Sequence, residues 1–279
     1  MERIQAAIQK AKEQRESAGS PAPRPAAAGE RPKPYPREAR VRRAAAPAWA
    51  GLPDFTPDPG LMTRSRIVTY DRADRAHSVF DLMRTKALRI MREKGWTTLG
   101  VTSPTTGCGK TTMLANLAFS FAHQTDTRTV VMDVDLKRPG LGRLLGVTAP
   151  QSMAAVLQGE RDLAANFLRC GDNLAIGTNA TSLRGSSELL QQASTGPALA
   201  DVRAQLQPDI MLFDLPPMLV SDDVLAVLPH LDCVLLIAAA ERSRIDEIDK
   251  CEQDLAEHTN VLGVVLNKCR YPGEDYGYY

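Results

Sequence analysis

A short apolar stretch, residues 97–102, runs straight into Ser103-Pro104-Thr105-Thr106-Gly107-Cys108-Gly109-Lys110-Thr111-Thr112, and an apolar-periodic segment, 113–122, follows. Strand, glycine-rich turn, Gly-Lys-Thr and helix is the order in which a phosphate-binding loop forms. Successive backbone N–H groups curl around an anion, and the helix N-terminus adds its positive dipole end. The expected anion contacts are Thr106, Gly107, Cys108, Gly109, Lys110, Thr111 and Thr112. Lys110 has the reach for the β- and γ-phosphates of a nucleotide, and the Thr111 hydroxyl would ligate Mg²⁺. Pro104 stands where the first glycine of Gly-x-x-x-x-Gly-Lys is usual. The competing reading is a β–α turn that holds no ligand. Two acidic motifs further along argue against it.

The first of these is Val130-Val-Met-Asp133-Val-Asp135-Leu-Lys137-Arg138-Pro. Two carboxylates two residues apart at the end of an apolar strand are costly unless a cation or a hydroxyl uses them. The second is Met211-Leu-Phe-Asp214-Leu-Pro216-Pro217, where Asp214 suits a Mg²⁺ anchor, often through water. A lone aspartate after a strand can equally be a helix N-cap. Apolar strands are predicted at 97–102, 129–132, 173–176, 210–213, 234–239 and 261–266. Helices fall at 76–93, 185–192, 199–205, 222–228 and 244–258. Continuous apolar strands alternating with helices predict an α/β fold, a mostly parallel sheet covered on both faces. Ligands bind such sheets beyond the strands' carboxyl ends, where Lys110, Asp133 and Asp214 all fall.

The remaining composition sets limits. A net charge of +1 gives no bulk attraction to nucleic acid. Five scattered cysteines lack metal-ligand spacing and suit a reducing compartment. With no run of about 18 apolar residues, no membrane span is predicted. Residues 1–17 form a short amphipathic pattern through Ile4, Ala7, Ile8 and Ala11. Residues 18–60 carry ten of the nineteen prolines. Residues 1–60 therefore read as a helix and tether that cannot bury enough apolar surface to fold alone. Residues 61–268 read as the nucleotide-binding domain, and 269–279 as a tail. That tail holds Tyr271, Tyr276, Tyr278 and Tyr279, four of the six tyrosines, broken by Pro272, Gly273 and Gly277.

With these motifs in place, residues 65–279 resemble the bacterial protein-tyrosine kinases (BY-kinases) of capsule and exopolysaccharide biosynthesis. The likeness rests on Gly107-Cys-Gly-Lys-Thr111, Asp133-Val-Asp-Leu-Lys137, Asp214-Leu-Pro-Pro217 and the tyrosine tail. Lys137 stands where that family usually has arginine. Of the family's Glu-x-x-Arg-x-x-Arg ring motif, only Arg84 is present, in Ser78-Val-Phe-Asp81-Leu-Met-Arg84. Partitioning and division-site ATPases share the loop and the acidic motif but carry an extra lysine where this chain has Thr105.

The resemblance implies a P-loop tyrosine autokinase using ATP and Mg²⁺. Its catalytic residues would be Lys110, Asp133, Asp135 and Asp214, with metal at Thr111, Asp135 and Asp214. It implies Asp133 as the group that orients and deprotonates the tyrosine hydroxyl, and Asn267 and Lys268 beside the adenine. The phosphoacceptors would be Tyr271, Tyr276, Tyr278 and Tyr279, delivered in trans within a homo-oligomer. It further implies a cytoplasmic chain held peripherally at the inner membrane by an activating transmembrane polysaccharide co-polymerase, with a cognate tyrosine phosphatase. A positioning ATPase and a nucleotide-binding scaffold without turnover are the other readings.

Overall fold

The computed structural model describes residues 47–160 and 162–270. Seven strands form one sheet among these residues: β1 Thr98–Thr102, β2 Thr129–Asp133, β3 Leu168–Cys170, β4 Leu174–Gly177, β5 Ile210–Asp214, β6 Cys233–Ala239 and β7 Asn260–Asn267. Their order is β3-β4-β2-β5-β1-β6-β7. All pairs are parallel except β3–β4, which is antiparallel. The helices are α1 Pro47–Ala50, α2 Pro59–Arg64, α3 His77–Lys94, α4 Lys110–Ala122, α5 Leu141–Leu145, α6 Met153–Leu157, α7 Leu163–Asn166, α8 Ser186–Leu190, α9 Thr195–Leu206, α10 Asp223–Val227 and α11 Ile245–His258, with a 3₁₀ turn at Leu228–His230.

Burial on both faces explains why the strands read as unbroken apolar runs rather than as alternating ones. Val130, Met132, Met211, Phe213, Val234 and Leu236 join one hydrophobic cluster. Their neighbours Val131, Ile210, Leu212, Leu235 and Ile237 join the other, against α4. Every residue of α4 from Met113 to Phe121 is buried. All the strands predicted from the sequence form. The short β3 was not anticipated: three residues of mixed polarity carry no periodic signal.

The tether boundary needs correction. Residues 47–60, expected to lie outside the folded part, pack into it. Trp49 and Leu52 are buried in the first cluster. The Trp49 indole N–H donates to the Asp172 carbonyl at 3.1 Å, and the Arg128 guanidinium lies 5.7 Å above its ring. Phe55 N–H donates to the Arg169 carbonyl at 2.7 Å, and Arg169 N–H to the Pro53 carbonyl at 2.8 Å, so this stretch runs beside β3. Proline density masked the two apolar anchors between the prolines. The remainder of the predicted tether and N-terminal helix, 1–46, and the tail tyrosines lie outside the described residues.

Helical spacing in the sequence makes Val79, Leu82, Met83, Ile90 and Met91 the expected apolar face of α3. Met91 is buried as expected, but Val79 and Leu82 are exposed, and Arg84, Ala87 and Leu88 face inward in their place. Arg84 turns the helix this way. Its guanidinium donates to the Ser120 carbonyl at 2.7 Å and to Asp81 at 2.9 Å, tying α3 to α4. Burial pushes the Asp81 carboxyl up, but the Ser120 hydroxyl, Arg84, Arg72 and His77 outweigh it and hold it below the usual range. The arginine that matched the ring motif is thus engaged within its own chain. None of the described helices is long and apolar enough to cross a membrane.

Candidate nucleotide site

Parallel pairing sets Asp133 directly beside Asp214, and Asp214 beside Val101, which enters the glycine-rich loop. Gly107 and Gly109 have φ of +77° and +92°, the left-handed region that glycine enters without a Cβ penalty. A Cβ on Gly109 would stand 2.5 Å from the Asn267 amide nitrogen, so space as well as backbone requires glycine there. Pro104 fills the place of the first glycine, and its carbonyl accepts from Leu219 N–H at 3.0 Å. Cys108 is a buried filler whose thiol donates to the Thr105 carbonyl at 3.3 Å. The Thr112 carbonyl accepts from the Asn116 amide inside α4, while Thr106 and Gly107 form the more open tip of the loop.

Lys110 is the first residue of α4. Its ammonium lies 2.9 Å from Asp135 Oδ2, 3.4 Å from Asp214 Oδ1 and 3.4 Å from Thr111 Oγ1. The Thr111 hydroxyl donates to Asp214 Oδ2 at 2.7 Å. Burial pushes the ammonium's pKa down, but the charges of Asp214 and Asp135 outweigh it and raise it. Asp214 has no solvent exposure; burial lifts its carboxyl, against the pull of Lys110 and Thr111.

Asp133 is also fully buried, and burial together with Asp214 raises it well above the carboxylate range. Its oxygens are already occupied. Oδ2 accepts from Gly140 and Leu141 N–H at 3.2 and 3.1 Å, capping α5, and Oδ1 accepts from Asp135 N–H at 3.2 Å. In this conformation Asp133 acts as a structural cap, so work as a base on a substrate hydroxyl requires the 138–141 turn to open. Asp135 is slightly exposed and faces Lys110 directly.

Asn267 and Lys268, which the resemblance sets beside the adenine, brace the loop from outside. The Asn267 amide donates to the Cys108 carbonyl at 2.9 Å, and Lys268 Nζ to the Gly107 carbonyl at 2.7 Å. Loop N–H groups that turn inward to phosphate leave their carbonyls pointing outward, and these two side chains hold them.

Several contributors escaped the sequence reading. The Asn179 amide donates to the Asp133 carbonyl at 2.8 Å, and its oxygen accepts from Met153 N–H at 2.8 Å. It follows β4 at the same carboxyl edge, the one signal that pointed to it. The Arg242 guanidinium sits where a side chain on Gly107 would project, 2.6 Å from that Cβ position. Nothing in its local sequence announces this.

Carboxylates this deep persist only against positive charge, and Lys110 supplies it from the first turn of the helix that the loop opens. A parallel sheet with this loop at the carboxyl edge of a central strand defines the class of P-loop α/β nucleotide-binding domains. The chain belongs to the CobQ/CobB/MinD/ParA nucleotide binding domain family, whose model matches residues 99–275. It is 29% identical over 206 residues to the tyrosine-protein kinase wzc of Salmonella typhi, covering 71% of this chain but 28% of that protein. Against the tyrosine-protein kinase CpsD of Streptococcus pneumoniae it is 27% identical, covering 64% of this chain and 79% of CpsD. The kinase domain of Escherichia coli tyrosine kinase ETK superposes with a TM-score of 0.67 at 25% identity, covering 81% of this chain and 87% of that domain. The chain thus spans little more than a quarter of the wzc relative's length.

The donor set fits a magnesium nucleotide. Thr111, Asp135 and Asp214 offer only hard oxygen ligands around a point where a cation, the Lys110 ammonium, already lies. Among the described residues, no group of three or more His, Cys, Asp or Glu side chains could hold a metal ion alone. Mg²⁺ does not demand one, because it takes one or two carboxylates plus phosphate oxygens and water.

Proposed function

We propose that this chain is an ATP-dependent protein-tyrosine autokinase that acts on the tail tyrosines Tyr271, Tyr276, Tyr278 and Tyr279 of a neighbouring copy. The observation that carries the reading is the meeting of Lys110, Thr111, Asp135 and Asp214 at one sheet edge, in a chain similar to named tyrosine kinases. Phosphoryl transfer needs positioning and charge neutralisation more than covalent help from the protein. The loop N–H groups and Lys110 hold the phosphates. Thr111, Asp135 and Asp214 would hold Mg²⁺ directly or through water, and the bound ion would supply charge neutralisation at the phosphate oxygens. Asp133, with its raised pKa, takes the tyrosine proton once its capping turn yields; Asp135 is the more accessible alternative. Asn267 and Lys268 keep the loop shaped beside the base. The domain limits follow the corrected boundary, with the folded kinase domain running from about 47 to 268. An activating transmembrane co-polymerase, a homo-oligomer, a cognate phosphatase and a peripheral cytoplasmic position at the inner membrane belong to the same proposal.

The deciding experiment mixes two chains. A Lys110→Met chain with an intact tail is incubated with Mg²⁺-ATP and an active chain whose four tail tyrosines are phenylalanine. A co-polymerase cytoplasmic segment is included, and phosphosites are mapped by mass spectrometry. Phosphate is expected on the tail of the Lys110→Met chain. Nucleotide hydrolysis with no tail phosphate would favour a positioning ATPase, and binding without turnover a scaffold. Thr105, in place of the extra lysine of positioning ATPases, weighs against the first of these.

The carboxylates give a second test. Asp135→Asn and Asp214→Asn should each lower labelling by about 10²-fold, the order found when a charge-stabilising group is removed from a reacting centre. Nucleotide affinity in both should depend less on Mg²⁺. Asp133→Asn should lose labelling and also lower the melting temperature, since its amide oxygen can still cap α5 but its amide nitrogen cannot accept from Asp135 N–H. Wild-type labelling in all three variants would reduce these aspartates to structural caps.

A further inference from the structure

We propose that Lys137 is a positioning residue for the metal–nucleotide site: its ammonium latches the loop carrying Asp135 to the loop carrying Asp214. The inference rests on the nucleotide-binding reading above. Lys137 follows Asp135 by two residues, with buried Leu136 between them. Its Nζ lies 2.8 Å from Asp223 Oδ1, 3.3 Å from Asp222 Oδ1 and 3.2 Å from Ser221 Oγ. Those three residues end the segment that begins at Asp214. The far oxygens are also occupied: the Ser186 hydroxyl donates to Asp223 Oδ2 at 2.6 Å and the Ser187 hydroxyl to Asp222 Oδ2 at 2.8 Å. One cation therefore gathers two carboxylates and a hydroxyl, which a compact ammonium does more readily than a planar fork.

This is not an ordinary surface ion pair. Lys137 is half-exposed, but the Asp223 side chain has no solvent exposure, so its charge needs a partner. The segment it belongs to is also tied to the glycine-rich loop, since Met218 and Leu219 N–H donate to the Ser103 and Pro104 carbonyls at 2.8 and 3.0 Å. Lys137 thus joins the Asp135 loop to a frame that already carries Asp214 and the start of the phosphate loop.

The need for such a latch follows from Lys110. Lys110 sits between Asp135 and Asp214 and offsets their repulsion. Once its ammonium turns to phosphate, the two carboxylates repel one another until a metal ion neutralises them. Lys137 has no phosphate to serve, and it holds the loops together through that exchange.

The test titrates a fluorescent ADP analogue into the purified full-length chain across a range of Mg²⁺ concentrations. The set is the parent, Lys137→Met, Lys137→Arg, Asp223→Asn and the Lys137→Met/Asp223→Asn double variant. Lys137→Met should raise the Mg²⁺ concentration for half-maximal tightening by about tenfold, as removal of a group that orients metal ligands does. Its Mg²⁺-free affinity should hold. Lys137→Arg keeps the charge but not the compact shape, so it should restore only part of the shift, and the double variant should be no worse than Lys137→Met, because both remove one contact. Hydrogen exchange without ligand should quicken across 134–141 and 221–224 in Lys137→Met and Asp223→Asn alike. An unchanged Mg²⁺ midpoint in Lys137→Met and Asp223→Asn, with only a lowered melting temperature, would overturn the latch and leave a structural tie. A parent chain that binds no nucleotide at any Mg²⁺ concentration would overturn the site reading itself, and the latch with it.

Discussion

Lys110→Met is expected to abolish tail phosphorylation and also to destabilise the nucleotide-free chain. The first effect follows from position: the Lys110 ammonium lies within 3.4 Å of both Asp135 and Asp214, at the start of the helix that the glycine-rich loop opens. The second follows from what the ammonium leaves behind. Asp214 is fully buried and Asp135 nearly so, and both lose their cation. Breaking a buried pair by removing one partner costs about 3 kcal/mol or more. For a domain of this size that lowers the melting temperature by about 10 °C. The loss should depend on pH in a definite direction. Burial raises the Asp214 carboxyl above its unfolded value, and removing Lys110 raises it further. A carboxyl raised in the folded state costs nothing below the usual carboxylate range, where it is protonated in both states. The cost grows as pH climbs from the unfolded value to the raised one and is level above it. Scanning calorimetry of both chains at pH 5 and pH 8 should therefore give a smaller gap at pH 5. An equal gap at both pH values would mean that the carboxylates gain another partner in the variant. Adding Asp135→Asn to Lys110→Met should recover part of the melting temperature without recovering activity.

The parts of this site that the sequence disclosed lie just beyond strand ends. Asp133, Asp135 and Asp214 close or follow unbroken apolar runs, Lys110 and Thr111 open the helix after the loop that leaves β1, and a doubly covered parallel sheet delivers such positions to one edge. The framework was legible for the same reason, since β2, β5 and β6 are apolar on both faces. What stayed hidden depends on contacts distant along the chain. Asp223 is one of two adjacent aspartates, and only folding reveals that it is buried on Ser186 and Lys137. Nor does a local pattern foretell the brace from Lys268 to Gly107, which joins residues 161 positions apart. The orientation of α3 was misread because Val79 and Leu82 lie at helical spacing with Met83, whereas an inward arginine decides which face is buried. Arg84 is charged and still faces inward, because it reaches Ser120 and Asp81 there.

The segment before α2 gives the other large effect. A chain shortened to begin at residue 61 should lose much more stability than one shortened to begin at residue 47. The longer deletion removes Trp49 and Leu52 from the core and takes away the Asp58 side chain that caps α2. It also strips the hydrogen bonds that Pro53 and Phe55 exchange with Arg169 at the edge of β3. Truncating a buried aromatic alone typically costs about 3–5 kcal/mol. Trp49→Ala should therefore lower the melting temperature by about 10 °C. Trp49→Phe should lose less, since it keeps most of the ring volume and sacrifices the bond from the indole to the Asp172 carbonyl. Nucleotide affinity at a temperature where every variant is folded should be unchanged, because Trp49 packs beside β3 and β4, away from the carboxyl edge that carries Lys110. Thermal melts of the two truncations and two point variants, each paired with a nucleotide titration, decide the matter. Equal melting temperatures for the chains beginning at 47 and 61 would return the boundary to residue 61 and make the packing of Trp49 energetically idle.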